Sequence, residues 1–270
     1  MIGLVLGNTQ LGSLIVKKLK KLNIKFTIID ISKKKIFSSH KNSYSLSIGQ
    51  LGKAISILKK TKCKKVIFAG RVSRPNFYKT KFDLKGIYYL PKIIKSAKMG
   101  DGYIIKEIIK IFRKENLNVI KQTHFNKELT LKKGIFTRHK PSKASLKDIL
   151  LGKKIINELK KNNVGQAAII SQGNVIALED QKGTDSMLSK ANKILNKFPK
   201  KIRKKSVLIK FPKSNQDLRI DLPTIGIKTL KKCSKIGLSG LVLKSGQNIF
   251  LDKEKSINFA NKKKIFIKVI

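Results

Sequence analysis

The sequence has no tryptophan, two cysteines, three histidines and only 15 acidic residues. Cys63 and Cys233 stand alone, so neither a cysteine metal motif nor a disulfide framework is expected, and we predict free, buried thiols. His40, His124 and His139 accompany no serine or cysteine motif. We therefore assign no catalytic triad.

Long hydrophobic runs are absent as well. No stretch of the sequence approaches the roughly 18 apolar residues that a membrane-spanning helix needs. The N-terminal segment Met1–Gly7 is typical of a buried strand and lacks the basic residues that open a signal peptide. We therefore expect a cytoplasmic protein that contacts a membrane only from its surface.

Basic residues are abundant: 62 lysines and arginines give a formal charge of +47. Such a charge favours an anionic partner, either nucleic acid or membrane. A genome biased toward A and T would also produce it, because nearly all of the basic residues are lysines. Aromatic residues make up only 7% of the chain, which leaves few stacking platforms for nucleic acid bases.

The first half of the chain alternates apolar runs with helical spacing. Ile2–Leu6, Phe26–Ile31 and Val66–Ala69 are typical of buried parallel strands, and leucines and isoleucines recur between them every three or four residues. This order predicts an α/β fold with a parallel sheet and right-handed crossovers. We assign residues 1–133 to a Rossmann-like N-terminal domain.

The second half has a different texture. Ala167–Ile170 and Val175–Leu178 predict a hairpin that turns at Gly173-Asn174. A helix is expected to start near Thr184, which is a suitable N-cap. We assign residues 134–270 to a mixed α/β C-terminal domain, with the boundary in a weakly periodic stretch that contains Gly134 and Pro141.

A glycine-bearing loop follows the first strand. Gly7, Asn8 and Gly12 could bring backbone N–H groups and a helix N-terminus to a phosphate. The dinucleotide fingerprint needs a second glycine where Thr9 stands. A plain tight turn, an NAD site and a contact to a nucleotide or sugar phosphate all stay open.

The third strand ends in a loop that carries two of the six arginines. Gly70, Arg71 and Arg74 lie at the edge where open α/β sheets bind ligands. In a chain that otherwise uses lysine, an arginine indicates that the planar guanidinium group is needed. That group can donate two parallel hydrogen bonds to a phosphate or a carboxylate. A solvated surface loop is the alternative.

A third segment, Gly165–Leu188, holds acidic residues near glycines. Glu179 and Asp185 are candidate ligands for a hard metal ion. Asp185 could equally interact with the dipole of a helix start.

The densest motif runs from Gln216 to Gly226. Asp217, Arg219 and Asp221 would point to one side if this segment were extended. Two carboxylates there could hold Mg²⁺ or Mn²⁺, and the arginine could contact a phosphate oxygen. Thr224 could open the next helix. A salt-bridged strand end is the alternative.

Four segments resemble one known family in their order along the chain. They are Ala69–Pro75, Gly165–Leu188, Gln216–Gly226 and Gly237–Gly240. The sequence resembles the metal-dependent UDP-2,3-diacylglucosamine pyrophosphatases of lipid A biosynthesis, found in many alphaproteobacteria and some other Gram-negative bacteria. Gln216–Gly226 is the most specific of the four.

This resemblance implies an enzyme that hydrolyses UDP-2,3-diacylglucosamine to UMP and 2,3-diacylglucosamine 1-phosphate with Mg²⁺ or Mn²⁺. Its essential acidic chemistry matches Asp217 and Asp221. We hypothesise that these two are catalytic together with Arg219, and that they hold the metal with Asp185 or Glu179 completing or supporting the site. The expected substrate-binding residues are Gly7, Asn8, Gly70, Arg71, Arg74, Gln166, Gly183, Thr184, Lys210 and Thr224.

The expected partners follow from the same resemblance and from the charge. They are a nucleotide-linked glycolipid and the anionic surface of the inner membrane, with no nucleic acid; a homodimer stays open. Two other classes are kept as alternatives, a nucleotide-binding oxidoreductase and a basic nucleic-acid-binding protein.

Overall fold

A computed structural model describes residues 1–72, 76–161, 165–180, 182–199, 205–213 and 216–270. The chain divides into two compact units. The first comprises Met1–Lys127 with Asp217–Asp221, and the second Glu128–Gln216 with Leu222–Ile270. The segment Asp217–Asp221, which we expected in the second domain, therefore belongs to the first unit. The predicted boundary after residue 133 stays a prediction.

The first unit is built on a parallel sheet. Its five strands have the order β3-β2-β1-β4-β5, and every neighbouring pair is parallel. The elements are β1 (Ile2–Leu6), α1 (Gln10–Lys21), β2 (Phe26–Asp30), β3 (Ser43–Ser45), α2 (Leu51–Lys60), β4 (Lys65–Ala69), α3 (Leu84–Met99), α4 (Asp101–Lys114) and β5 (Asn118–Val119).

The central strand β1 is buried along its whole length, which explains its uninterrupted apolar sequence. Helix α1 packs its apolar stripe inward, with Leu11, Ile15 and Leu19 buried. The predicted parallel sheet and α/β class are confirmed.

One carboxylate caps two helices of the first unit. Asp83 precedes α3 and accepts a hydrogen bond from the N–H of Gly86 at 2.8 Å. It also accepts the N–H groups of Gly52 and Lys53 in the first turn of α2, at 3.1 and 2.8 Å. Helix α2 has no side-chain cap of its own at Gln50. Asp83 therefore fixes α2 and α3 to each other at their N-termini.

Glycines bring these two helices close together. A Cβ on Gly86 would lie 2.6 Å from the backbone oxygen of Gly49. A Cβ on Gly52 would lie 2.9 Å from Lys85 Cβ. Because larger side chains do not fit at either place, α3 is held in one rotation about its own axis.

The second unit is built on a mixed sheet. Its six strands have the order β6-β13-β11-β9-β7-β8, with parallel pairs in the middle and antiparallel pairs at both ends. The elements are β6 (Gly134–Ile135), α5 (Lys143–Lys161), β7 (Ala167–Ser171), β8 (Asn174–Leu178), α6 (Gly183–Leu195), β9 (Val207–Lys210), β10 (Thr224–Ile225), α7 (Ile227–Ile236), β11 (Gly240–Leu243), β12 (Ile249–Phe250), α8 (Lys253–Lys262) and β13 (Phe266–Val269).

The predicted hairpin between β7 and β8 is present, and the mixed α/β character of this half is confirmed. The turn lies one residue earlier than expected, at Gln172-Gly173, where both residues have positive φ. Buried Asp148 on α5 accepts the N–H groups of both turn residues, at 2.9 and 2.7 Å. This contact sets the position of the turn.

Two local predictions in this half were wrong. Thr184 is not a helix N-cap, because α6 begins at Gly183 and Lys182 occupies the cap position. Thr224 does not open a helix: it lies in β10, which pairs with β12, and α7 begins at Ile227 after Gly226.

Both cysteines are free and buried, as expected. Burial raises the pKa of the Cys233 thiol to about 12, so this sulfur is unreactive near neutral pH. Among the helices of the described residues, none is long and apolar enough to cross a bilayer.

We expect Asp83→Ala to lower the free energy of unfolding by about 1–3 kcal/mol, because two helix starts lose their acceptor. Urea denaturation followed by circular dichroism measures this change. Asp180→Ala is the control, since Asp180 contacts an exposed lysine at the surface and should matter much less. Equal losses in both variants would contradict the double-cap role.

Candidate active site

The loops after β1 and β4 are joined through their backbones. The N–H of Gly7 donates to the oxygen of Ala69 at 2.9 Å, and the N–H of Asn8 donates to the oxygen of Arg71 at 3.0 Å. A Cβ on Gly7 would lie 2.6 Å from the Arg71 oxygen, and Gly70 has a φ of 98°. Both glycines are thus explained by the contact between the loops.

This pairing brings four predicted substrate-binding residues together at the carboxyl edge of the first sheet. Gly7 and Gly70 meet through their backbones, and Asn8 and Arg71 lie exposed beside them. Parallel sheets bind ligands at this edge. Arg74, the other arginine of the predicted site, lies outside the described residues.

The structure gives no support to an NAD site in this sheet. In dinucleotide-binding folds an acidic residue about 20 positions after the glycine loop holds the ribose. Asp30 has that place at the end of β2, but it is fully buried. Its two oxygens accept the N–H groups of Ser32 and Phe37, both at 2.9 Å. It anchors its own loop and is not available to a ribose.

The densest sequence motif forms a turn. The N–H groups of Ile220 and Asp221 both donate to the oxygen of Asp217, at 3.0 and 2.9 Å. The extended conformation considered for Asp217, Arg219 and Asp221 is therefore wrong. The segment instead folds into one helix-like turn, in which the Asp217 carbonyl accepts the N–H groups three and four residues later.

Arg219 makes a two-pronged ion pair with Asp217. Its Nε donates to Oδ1 at 2.9 Å and its Nη2 to Oδ2 at 2.7 Å. The backbone N–H of Arg219 also donates to Oδ1 at 2.9 Å. These bonds to Arg219 lower the pKa of the Asp217 carboxyl and raise the pKa of the guanidinium, so both stay charged near neutral pH.

A buried glutamine holds this turn in the first unit. The backbone N–H of Gln122 donates to the oxygen of Arg219 at 2.9 Å. The Nε2 of the same residue donates to the oxygen of Phe68 at 2.9 Å and to the oxygen of Ile220. Ile220 also packs against the apolar core of the unit.

A second polar group lies in the second unit. The Nζ of Lys210 donates to Thr184 Oγ1 at 2.5 Å, and that hydroxyl donates to Glu179 Oε2 at 2.9 Å. Lys210 is 7% exposed and Glu179 is 5% exposed. Thr184 therefore links a buried cation to a buried carboxylate, which holds all three side chains in place.

The sheet explains why these residues meet. Lys210 at the end of β9 lies opposite Ala167 at the start of β7. The N–H of Glu179, just after β8, donates to the oxygen of Ala167 at 2.9 Å. Three adjacent strands thus bring Gln166, Glu179 and Lys210 to one edge of the sheet, and the first turn of α6 adds Thr184 with Gly183 before it.

Gln166 supplies an unused acceptor at this edge. Its Oε1 is buried and has no hydrogen-bond partner among the described residues. Its backbone is fixed, because its oxygen accepts the N–H of Phe211 at 2.9 Å. A Cβ on neighbouring Gly165 would lie 2.0 Å from the Glu179 oxygen, so the chain needs glycine there. A buried acceptor without a donor indicates where a ligand could donate.

Two other predicted residues of this unit have different surroundings. Asp185 is 79% exposed and pairs with Lys232 at 2.7 Å. Thr224 is exposed, and its hydroxyl donates to the oxygen of Leu222 at 3.2 Å. Neither contacts the chain of Lys210, Thr184 and Glu179 through the hydrogen bonds described.

Sequence patterns did not point to Gln122, although it secures the acidic turn. A glutamine shortly after the apolar pair Val119-Ile120 marks the carboxyl end of a strand, where polar side chains often serve a site. Its partners lie 54 and 98 residues away. Local patterns contain no information about contacts at that separation.

Comparison with known proteins supports the resemblance. Residues 1–129 match the family model for the LpxI N-terminal domain, and residues 132–268 match that for the LpxI C-terminal domain. The chain is 33% identical over 227 residues to the UDP-2,3-diacylglucosamine pyrophosphatase LpxI of Caulobacter vibrioides, which covers 82% of this chain and 80% of that protein. The chain therefore belongs to the LpxI family.

Proposed function

We propose that the protein hydrolyses the pyrophosphate of UDP-2,3-diacylglucosamine, a step of lipid A biosynthesis. The observation that carries this proposal is the 33% identity, over most of both chains, to an enzyme of that name. A water oxygen adds to the α-phosphorus and the bond from that phosphorus to the bridging oxygen breaks. The products are UMP and 2,3-diacylglucosamine 1-phosphate.

Each unit has side chains that suit an anionic substrate with hydrogen-bond donors. Phosphate groups need cations, which Arg71 and Arg219 supply in the first unit and Lys210 supplies in the second. The free acceptor of Gln166 suits a donor of the substrate, such as a hydroxyl, an amide N–H or the uracil N–H. Gly7, Asn8, Gly70, Arg74, Gly183 and Thr224 remain proposed substrate contacts.

Mg²⁺ is proposed as the cofactor, with Mn²⁺ as an alternative. Among the described residues, no three His, Cys, Asp or Glu side chains form a group that could hold a metal ion. Mg²⁺ commonly takes only one or two protein carboxylates and completes its shell with water and substrate phosphates. Asp217 and Asp221, one turn apart, fit that requirement, and Asp185 and Glu179 remain proposed additional ligands.

When bound, the metal would supply charge for the phosphate oxygens and acidify the attacking water. The remaining work falls to the chain itself. Asp217 holds the guanidinium of Arg219, which can then neutralise charge on a phosphate oxygen. Thr184 and Glu179 hold the Lys210 ammonium in one position, so little reorganisation is needed when the pyrophosphate charge develops.

The substrate carries two acyl chains, so we propose that the protein works at the cytoplasmic face of the inner membrane as a peripheral protein. The excess of lysine favours an anionic surface. A homodimer and the lack of a nucleic acid partner stay predictions.

The direct test is to incubate the purified protein with UDP-2,3-diacylglucosamine and to follow UMP release with Mg²⁺ or with EDTA. We expect release only with the metal. Asp217→Asn and Asp221→Asn should each lower kcat by about 100–1000-fold, because an oriented carboxylate is lost while the shape is kept. Asp101→Asn, at the exposed first residue of α4 in the same unit, is the matched control.

Wild-type rates in both variants would show that the Asp217–Asp221 turn takes no part in catalysis. Undiminished UMP release in EDTA would show that the reaction needs no metal ion. No UMP under any metal would overturn the proposed reaction itself.

A second prediction concerns the hydroxyl of Thr184. Thr184→Val keeps the shape but disconnects buried Lys210 from Glu179, so kcat/KM should fall by about 10–100-fold. Thr184→Ser keeps the hydroxyl and should recover most of the activity. If valine and serine give the same rate, the hydroxyl does not serve the site.

A third prediction concerns pH. The pKa of Asp217 is lowered by Arg219, so the pair adds stability above the ordinary Asp pKa and loses it as pH falls through the lowered value. Arg219 is partly exposed, so the gain is about 1 kcal/mol at most. Urea denaturation of wild type and Arg219→Met should differ at pH 7, and the difference should shrink as the pH falls below the ordinary pKa of Asp. A constant difference would contradict the pairing.

A further inference from the structure

One helix of the first unit exposes an apolar face. On α3, Leu84 is 87% exposed, Ile87 56% and Tyr88 70%, and Pro91 and Met99 are exposed on the same side. Leu84, Ile87, Tyr88 and Pro91 follow the helical repeat and form one apolar stripe, which we call the α3 outer face, and Met99 lies farther along the same side beyond Lys95. Contiguous exposed apolar groups mark interaction sites.

This face is held outward by the fold. On the opposite side of α3, Gly86 and Tyr89 are buried. The close approach of Gly86 to the oxygen of Gly49, together with the double cap of Asp83, leaves no room for α3 to rotate. Tyr88 also packs edge-on against Tyr89, with ring centroids 4.9 Å apart. The apolar groups therefore cannot turn into the core.

Lysines border the α3 outer face. Lys92, Lys95 and Lys98 are all exposed and lie on or beside the stripe. A helix with leucine, isoleucine and tyrosine on one face and lysines around it is typical of a helix that lies in a membrane interface. Three lysines at an anionic lipid surface strengthen partitioning by about 100-fold.

We propose that the α3 outer face docks on the surface of an anionic phospholipid bilayer. Leu84, Ile87 and Tyr88 enter the boundary between headgroups and acyl chains, and the lysines contact the lipid phosphates. A second copy of the chain fits less well, because a two-fold contact would bring together two faces that each carry three lysines and no acidic partner on the stripe. Nucleic acid would use the lysines but has no need of exposed Leu84 and Ile87.

The inference deepens the proposed function, since the lipid-linked substrate would reside in that bilayer. It is nevertheless tested without substrate, on vesicles of phosphatidylcholine alone and with 30% phosphatidylglycerol. A negative result on vesicles therefore leaves the proposed hydrolysis intact, and a missing activity leaves the docking surface intact.

The first experiment measures co-sedimentation with these vesicles. We expect wild-type protein to bind the anionic vesicles, and Leu84→Gln/Ile87→Gln/Tyr88→Gln to bind at least about tenfold more weakly. Lys92→Gln/Lys95→Gln/Lys98→Gln should also lose about tenfold or more. The controls remove equal groups from the second unit: Leu150→Gln/Ile194→Gln/Phe198→Gln, and Lys255→Gln/Lys262→Gln/Lys263→Gln. They should bind nearly as wild type does.

Equal losses in the α3 variants and the controls would overturn the proposal, because the total charge would then explain the binding. The proposal would also be overturned by a different pair of results for the apolar α3 variant. These are loss of self-association in analytical ultracentrifugation together with normal binding to vesicles. The occupant would then be a second copy of the chain.

A second experiment does not depend on variants that weaken the fold. The chain has no tryptophan, so Tyr88→Trp introduces a single indole on the α3 outer face. Its fluorescence should shift to the blue with anionic vesicles and stay unchanged with neutral ones. Phe198→Trp in the second unit should not shift. An unshifted indole at position 88, in protein that co-sediments, would overturn the proposal.

Discussion

The hydrogen bonds of Gln122 hold the acidic turn in place. This one buried side chain donates to carbonyls from β4 and from the turn, and its own backbone donates to Arg219. Carbonyl oxygens shielded from water are costly to leave without donors, so loss of Gln122 would weaken the attachment of this turn. They make Asp217–Asp221 part of the first unit, although 89 residues of sequence separate Lys127 from Asp217. The orientation of the Asp217–Arg219 pair depends on this attachment.

Carboxylates are scarce in this chain, and many of those described serve the backbone. Asp30 anchors the loop after β2, Asp83 caps two helices, and Asp148 fixes the hairpin turn. Each accepts at least two backbone N–H groups, which a lysine cannot do. Candidates for chemistry are therefore the carboxylates bonded to side chains, above all Asp217 and Glu179. In a chain of +47 charge, each such carboxylate also tempers repulsion among lysines.

The parts of the fold that depend on local pattern were predictable. β1 and β4 are continuous apolar runs that end at glycine, and the hairpin has a glycine turn flanked by apolar residues. Its turn was misplaced by one residue because the anchor, Asp148, lies on another element. The link between Lys210 and Thr184 depends on strand order, which periodicity does not contain. The same limit hid the membership of Asp217–Asp221 in the first unit.

The first unit is not a continuous piece of chain, and this affects how it is made. Residues 1–127 leave the ribosome first, but the segment Asp217–Asp221 that completes this unit is synthesised only when the chain reaches residue 221. At typical synthesis rates the interval lasts roughly 5–20 s. Throughout it, the backbone N–H and the Nε2 of Gln122 lack their acceptors in the Asp217–Asp221 turn, and the edge of the unit that this turn covers stays exposed. A chaperone that binds this protein during synthesis would be expected to bind at that incomplete edge of the first unit.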